Sequence, residues 1–108
     1  MATVLVLKRD QLGVGDAELG RKVLGTFLRK SIALGDLESI AFLNDGVKLT
    51  AEGSPVLAEL SMLEERGVDL LPCGTCLEHY GIAPAVGEVA DMDGILRELD
   101  RATKVLDL

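Results

Sequence analysis

Tryptophan is absent from this 108-residue chain, tyrosine occurs once and phenylalanine twice. Base stacking on aromatic side chains, the usual platform for single-stranded nucleic acid, therefore has little to work with. Positive charge is also short. Eleven basic residues stand against 18 acidic ones, for a net charge of -7. Without a basic patch to follow phosphates, neither nucleic acid nor an anionic membrane surface is expected as a partner. No apolar run approaches the ~20 residues that a bilayer-spanning helix needs. Met1-Ala2-Thr3 leads straight into Val4-Leu5-Val6-Leu7 with no basic leader, so the expected compartment is the cytoplasm, where thiols are kept reduced. Only two cysteines and one histidine are present, too few for a disulfide scaffold.

The hydrophobic fraction is 48%, enough for one domain over residues 1–108 to bury a core without staples. With aromatics scarce, that core must be built from Leu, Val, Ile and Ala. Thr3–Leu7 is a continuous apolar run, the pattern of a strand buried on both faces. Asp16 is a good N-cap for a helix to about Ala33, with Leu19, Val23, Leu24, Phe27, Leu28 and Ile32 at helical spacing. Glu18 and Lys22 are placed to pair on its outer face. Gly20 and Gly25 are expected where this helix packs closely on the sheet. Ser39–Leu43 reads as a second strand, and Asn44-Asp45-Gly46 as a turn. Val47–Thr50 reads as a short extended piece or as loop.

Ser54-Pro55 opens the next helix, buried through Leu57, Leu60 and Leu63 and stopped by Gly67. Val68–Leu71 is a third strand and Val86–Ala90 a short fourth. Asp91 caps a last helix with Ile95 and Leu99 turned inward, and Lys104–Leu108 forms a fifth, edge strand. Alternating strands and helices predict an α/β fold with a parallel sheet covered on both faces. In such folds reactive groups collect at the C-terminal ends of the strands. The Gly13-Val14-Gly15 loop and the Asn44-Asp45-Gly46 turn each follow a strand and are expected to open on that edge.

The two cysteines form Cys73-Gly74-Thr75-Cys76. Random placement would give this spacing with about one chance in fifty. A strand precedes the pair, and Leu77-Glu78-His79-Tyr80 reads as a short helix closed by Gly81. A thiol at a helix N-terminus is stabilised as thiolate by unpaired N–H groups and the helix dipole. Cys73 is thus the candidate nucleophile, with Cys76 one turn on, within reach to form a disulfide or resolve a mixed species. The bland alternative is two packed apolar thiols.

Zinc is the weaker chemistry. Cys73, Cys76 and His79 supply three ligands where a structural site takes four, and a carboxylate or second subunit would have to complete it. Haem attachment fails because Leu77, not His, follows Cys76. His79, the lone histidine, reads as a surface residue or a local proton donor. The Gly13-Val14-Gly15 loop departs from the dinucleotide pattern at Glu18, where a third glycine belongs, and its acidic neighbours Asp16 and Glu18 repel phosphate. No cofactor or metal is expected. Glu64-Glu65 and Asp91/Asp93 read as solvated carboxylates on helix surfaces and caps.

Three stretches taken in order resemble the DsrE/DsrF-like (DsrEFH) family of sulfur-relay proteins. They are Gly13-Val14-Gly15-Asp16-Ala17-Glu18-Leu19-Gly20, Ala41-Phe42-Leu43-Asn44-Asp45-Gly46-Val47-Lys48-Leu49-Thr50, and Cys73-Gly74-Thr75-Cys76-Leu77. The tail from Gly87 to Leu108 also fits. The closest likeness is to the C-terminal domain of YedF-type proteins linked to selenium metabolism. This resemblance implies a three-layer α/β/α sandwich with a five-stranded parallel sheet, assembled as a homo-oligomer. It implies a persulfide on Cys73, which takes the family's active-cysteine position after the third strand. Cys76 is not shared by every relay member and would assist release by attacking that persulfide. YedF-type proteins carry an N-terminal TusA-like domain with its own carrier cysteine. This chain begins at the DsrE-like strand, so the expected partners are separate sulfur or selenium donor and acceptor proteins, a TusA-like donor among them. The competing functions are a thiol–disulfide protein or sensor cycling Cys73 and Cys76, and a non-catalytic oligomeric domain.

Overall fold

The computed structural model describes residues 1–108. Four strands form one parallel sheet: β1 (Thr3–Leu7), β2 (Leu37–Phe42), β3 (Asp69–Pro72) and β4 (Lys104–Asp107), in the order β3-β2-β1-β4. Thr3–Leu7 is buried throughout, as its unbroken apolar run demands. It pairs with β2 from Thr3↔Leu37 to Leu7↔Phe42 and with β4 from Thr3↔Lys104 to Val6↔Asp107. β3 pairs with β2 from Ser39↔Asp69 to Phe42↔Pro72.

Helix α1 (Ala17–Lys30) joins β1 to β2, and α2 (Leu57–Glu65) lies between β2 and β3. Both connections step in the same direction across the sheet, so right-handed crossovers put both helices on one face. Arg29 on α1 donates to Glu59 on α2 at 2.8 Å, which ties them side by side. Helix α3 (Gly74–Tyr80) follows β3, and α4 (Met92–Arg101) leads into β4. That connection runs back across the sheet, so α4 covers the opposite face and completes the three layers. Aliphatic side chains fill the core around Phe42, Leu5, Leu24, Leu28, Ile40, Leu60 and Ile95, all fully buried.

Helix starts follow their capping residues. Asp16 accepts from the Leu19 N–H at 2.8 Å, and Asp91 accepts from the Gly94 N–H at 2.8 Å. Each satisfies a donor that the first helical turn leaves unpaired. Ser54 and Pro55 behave differently. They lie in the turn ahead of α2, which begins at Leu57, although the Ser54 hydroxyl does accept from Val56 N–H at 3.3 Å.

The sheet has four strands where five were expected. Val86–Ala90 is not a strand, because the ladder bond that Glu88 O would take from β3 falls at Pro72, which has no N–H to give. Glu88 N–H bonds Leu70 O at 3.0 Å, Ala90 N–H bonds Pro72 O at 2.9 Å and Gly74 N–H bonds Ala90 O at 2.9 Å, leaving one isolated bridge at Cys73↔Ala90. Gly87 sits at φ 81, a left-handed conformation that interrupts the extended run. Glu64 is exposed on the helix surface, as expected of a solvated carboxylate, and also accepts from the Gly87 N–H at 2.8 Å, which pins this segment to α2.

Helix α1 also departs from its expected packing. Leu24 and Leu28 are fully buried, but Leu19, Val23 and Ile32 are exposed. Its glycines do not face the sheet. A Cβ at Gly20 would meet Gln11 at 2.8 Å and Leu12 O at 3.0 Å in the preceding loop, and one at Gly25 would approach Val56 and Glu59 of α2. Glu18 and Lys22 form no ion pair.

Candidate functional site

β2 and β3 end side by side, and each passes into a short helical segment at the same edge of the sheet. After β2, residues Asn44–Thr50 coil into a 3₁₀ turn, where Asn44–Gly46 was expected as a turn and Val47–Thr50 as an extended piece or loop. After β3, Cys73 becomes the N-cap of α3. Its N–H continues the ladder to Phe42 O at 2.9 Å, and its carbonyl accepts from Leu77 N–H at 3.0 Å. The backbone of Cys73 is therefore held from both sides. Gly81, at φ 66, ends α3 in a left-handed cap.

Both cysteines are free thiols, and they lie 3.5 Å apart. Their environments differ. Cys73 is buried with 5% exposure, whereas Cys76 is half-buried. Cys76 alone of the two lines a recess of about 260 Å³, together with Asn44, Thr75, His79 and Tyr80. The Asn44 backbone N–H donates to the Cys76 sulfur at 3.1 Å. Burial pushes the Cys76 thiol up, and the neighbouring Cys73 thiol adds to that rise, while the Asn44 N–H works against it.

Asn44 is the one residue other than glycine with positive φ, at 52. Asn tolerates this conformation better than most side chains, and here it turns the N–H onto the sulfur. The turn is fixed by contacts on both sides. Gly46 lies so close to the end of β1 that a Cβ there would sit 2.0 Å from Leu7 O. On the other side, the Tyr80 hydroxyl lies 2.6 Å from Asp45 Oδ1 and 3.0 Å from Asn44 Oδ1, and donates to this pair of acceptors. Lys48 pairs with Asp45 at 3.2 Å and stands 4.6 Å over the Tyr80 ring. The Tyr80 hydroxyl and then Lys48 hold the Asp45 carboxyl below its ordinary value, and Asp45 in turn raises the Tyr80 hydroxyl.

The expected pair, Cys73 and Cys76, is thus brought together at the expected edge. His79 is exposed and stacks edge-on against Tyr80 at 5.0 Å, on the recess rim rather than against Cys73. No cluster of three or more His, Cys, Asp and Glu side chains is arranged to hold a metal ion. Asn44, Asp45, Lys48 and Tyr80 were not read as site residues from the sequence. The available signal was the Asn44-Asp45-Gly46 turn itself, placed after a strand at the same edge as the cysteines. The Gly13-Val14-Gly15 loop does not line the recess. Gln11 bonds back to Gly13 O and Gly15 O, so the loop closes on itself. A larger open hollow of about 610 Å³ runs along α4 between Asp69, Leu71, Arg97 and Arg101. It contains neither thiol.

No protein-family model matches the chain, and no curated protein matches it. Solved structures do. The ychN protein from E. coli superposes with TM-score 0.72 at 21% identity, covering 100% of both chains. A conserved protein of unknown function from Bacteroides thetaiotaomicron gives TM-score 0.68 at 19% identity, over 98% of this chain and 94% of its own. A protein of unknown function from Methanobacterium thermoautotrophicum gives 0.72 at 19% identity, over 99% and 98%. The chain has the fold of the ychN protein: an α/β architecture with a four-stranded parallel sheet flanked by helices.

Proposed function

We propose that this protein carries sulfane sulfur, or selenium in the same oxidation state, as a persulfide or perselenide on the Cys73–Cys76 pair. The observation that carries this reading is the contact of two free thiols, 3.5 Å apart, at the C-terminal edge of a parallel sheet. Cys73 is the storage atom. Its backbone is fixed at the start of α3, and its burial shields a persulfide from stray thiols. Cys76 assists transfer and release. The fold shared with the ychN protein agrees with membership of the sulfur-relay group, and the Cys-Gly-Thr-Cys stretch favours a YedF-type variant of it.

The partners are then a donor bearing a persulfide, such as a TusA-like protein, and an acceptor thiol. Self-association is part of the proposal. Leu19 and Val23 on α1 and Leu96 on α4 are apolar and exposed, a pattern that suits contacts between copies. No helix is long and apolar enough to cross a membrane.

The test is intact-mass spectrometry of the reduced protein after incubation with a persulfide donor. One retained sulfur adds about 32 Da and one selenium about 80 Da, both reversed by dithiothreitol. A second reading, dithiol–disulfide cycling of Cys73 and Cys76, draws on the same short separation. It predicts a loss of about 2 Da on oxidation and no gain with a persulfide donor.

A further inference from the structure

We infer that Cys76, rather than Cys73, is the thiol that receives sulfur from outside, and that the sulfur then passes inward to Cys73. This rests on the relay reading and assigns the order of events within it. Cys76 lines the open recess with Asn44, Thr75, His79 and Tyr80, and Cys73 does not. Cys73 is shut in by its own neighbours. The backbone of Ala90 bridges to it, and Val89 closes over Gly74, with its Cγ1 3.0 Å from where a Cβ on that glycine would sit.

The recess also supplies a fixed donor. The Asn44 N–H points at the Cys76 sulfur from 3.1 Å, and Asn44 is held in its left-handed conformation by the Tyr80 hydroxyl and by the tight seat of Gly46 on Leu7. A preorganised N–H aimed at a sulfur stabilises negative charge wherever it develops there. Two such moments occur. In the first step Cys76 thiolate attacks the outer sulfur of a donor persulfide R–S–SH. The donor S–S bond breaks, R–S⁻ leaves and takes the proton that the Cys76 thiol gave up, and Cys76–S–SH forms. In the second step Cys73 thiolate attacks that same outer sulfur. The S–S bond at Cys76 breaks, Cys73–S–SH forms, and Cys76 leaves as a thiolate under the Asn44 N–H and takes up the proton lost by Cys73. No oxidant or reductant is consumed, because the sulfane sulfur keeps its oxidation state. A sulfur passing in line between two sulfurs spans about 4 Å, two S–S bonds of about 2 Å, so the cysteine side chains must part by about half an ångström from their 3.5 Å separation.

The experiment is rapid-quench peptide mapping of wild type, Cys73→Ser and Cys76→Ser with glutathione persulfide. In wild type the adduct is expected on Cys76 at the earliest times and on Cys73 at later ones. Cys73→Ser should still load, with the adduct retained on Cys76. Cys76→Ser should load at least about tenfold more slowly, as expected when the buried Cys73 must attack the donor directly. Iodoacetamide labelling of wild type gives a reading independent of any variant's folding, and Cys76 should be modified before Cys73. Loading of Cys76→Ser at the wild-type rate, or first labelling on Cys73, would overturn the inference and leave the relay reading standing. Failure of wild type itself to gain any sulfur would overturn the relay reading and this inference with it.

Discussion

Two loops leave the same edge of the sheet after neighbouring parallel strands, and both hold the glycines of a tight turn. Only one of them became part of a site. The turn after β2 is clamped: Gly46 is pressed against Leu7 O, Tyr80 binds Asp45 and Asn44, and the Asn44 N–H is spent on Cys76. The loop after β1 is held to α1 at its base, where the Leu12 N–H bonds Gly20 O at 3.0 Å, but its tip is open. Val14 is 76% exposed, nothing lies within 4 Å of where a Cβ would extend from Gly13 or Gly15, and Gln11 merely closes the loop on itself. Glycine in one turn serves close approach to a neighbouring strand, and in the other it serves only backbone curvature. Equal-looking turn signals thus differ by what the next element brings against them. Here α3 delivers Cys76 and Tyr80 to the β2 turn and nothing to the β1 loop.

The largest break in this comparison is expected from Gly46→Ala. Its methyl would fall inside the Leu7 carbonyl, so either β1 or the turn must move, and urea denaturation should show a loss of about 3 kcal/mol or more. Gly13→Ala meets no atom and suffers only its φ of 85, with an expected loss of about 1 kcal/mol. Equal losses in the two variants would remove the distinction between the loops.

A second effect concerns the thiols. Burial pushes the Cys76 thiol up and Cys73 adds to it. The pH midpoint for alkylation of Cys76 should therefore lie above the ordinary thiol value of about 8.5, and Cys73→Ala should bring it down. A midpoint below that of a free thiol would contradict the burial seen here.

Tyr80→Phe probes the clamp more gently. Removing the hydroxyl takes away the foremost reason for the low Asp45 carboxyl, so its NMR titration midpoint should rise toward an ordinary carboxylate. The sign for stability follows. A carboxylate depressed in the folded state contributes stability that is complete above its unfolded value of about 3.9 and lost as pH falls through the folded one. Stability of Tyr80→Phe should accordingly depend less on pH below about 4 than that of wild type. The smallest effect belongs to Val14→Ser, expected within about 0.5 kcal/mol of wild type because the side chain is open to solvent.

Much of the fold is legible in local pattern. Thr3–Leu7 has the unbroken apolar run of a strand buried on both faces, and Asp16 and Asp91 mark the helix starts that the structure shows. The cysteine pair reads correctly as a strand-to-helix junction. What pattern misses is set by tertiary contact. Val86–Ala90 has strand composition, but Gly87 in a left-handed conformation and the missing N–H of Pro72 on β3 break its regular pairing. Leu19 and Val23 have helical spacing yet point away from the core, because periodicity gives the stripe's repeat and not its width. Asn44 and Tyr80 lie 36 positions apart. Their meeting depends on β2 and β3 being neighbours, which no local signal states. For the same reason the different burial of Cys73 and Cys76 is invisible in the spacing alone.

A sulfane sulfur atom held on the Cys73–Cys76 pair is the core of the proposed function. Intact-mass spectrometry of wild type and the Cys73→Ser/Cys76→Ser double variant, each reduced and then exposed to glutathione persulfide, tests it most directly. A dithiothreitol-reversible gain of about 32 Da is expected on wild type and none on the double variant. A wild-type protein that stays at its reduced mass, or a double variant that gains as much as wild type, would contradict it.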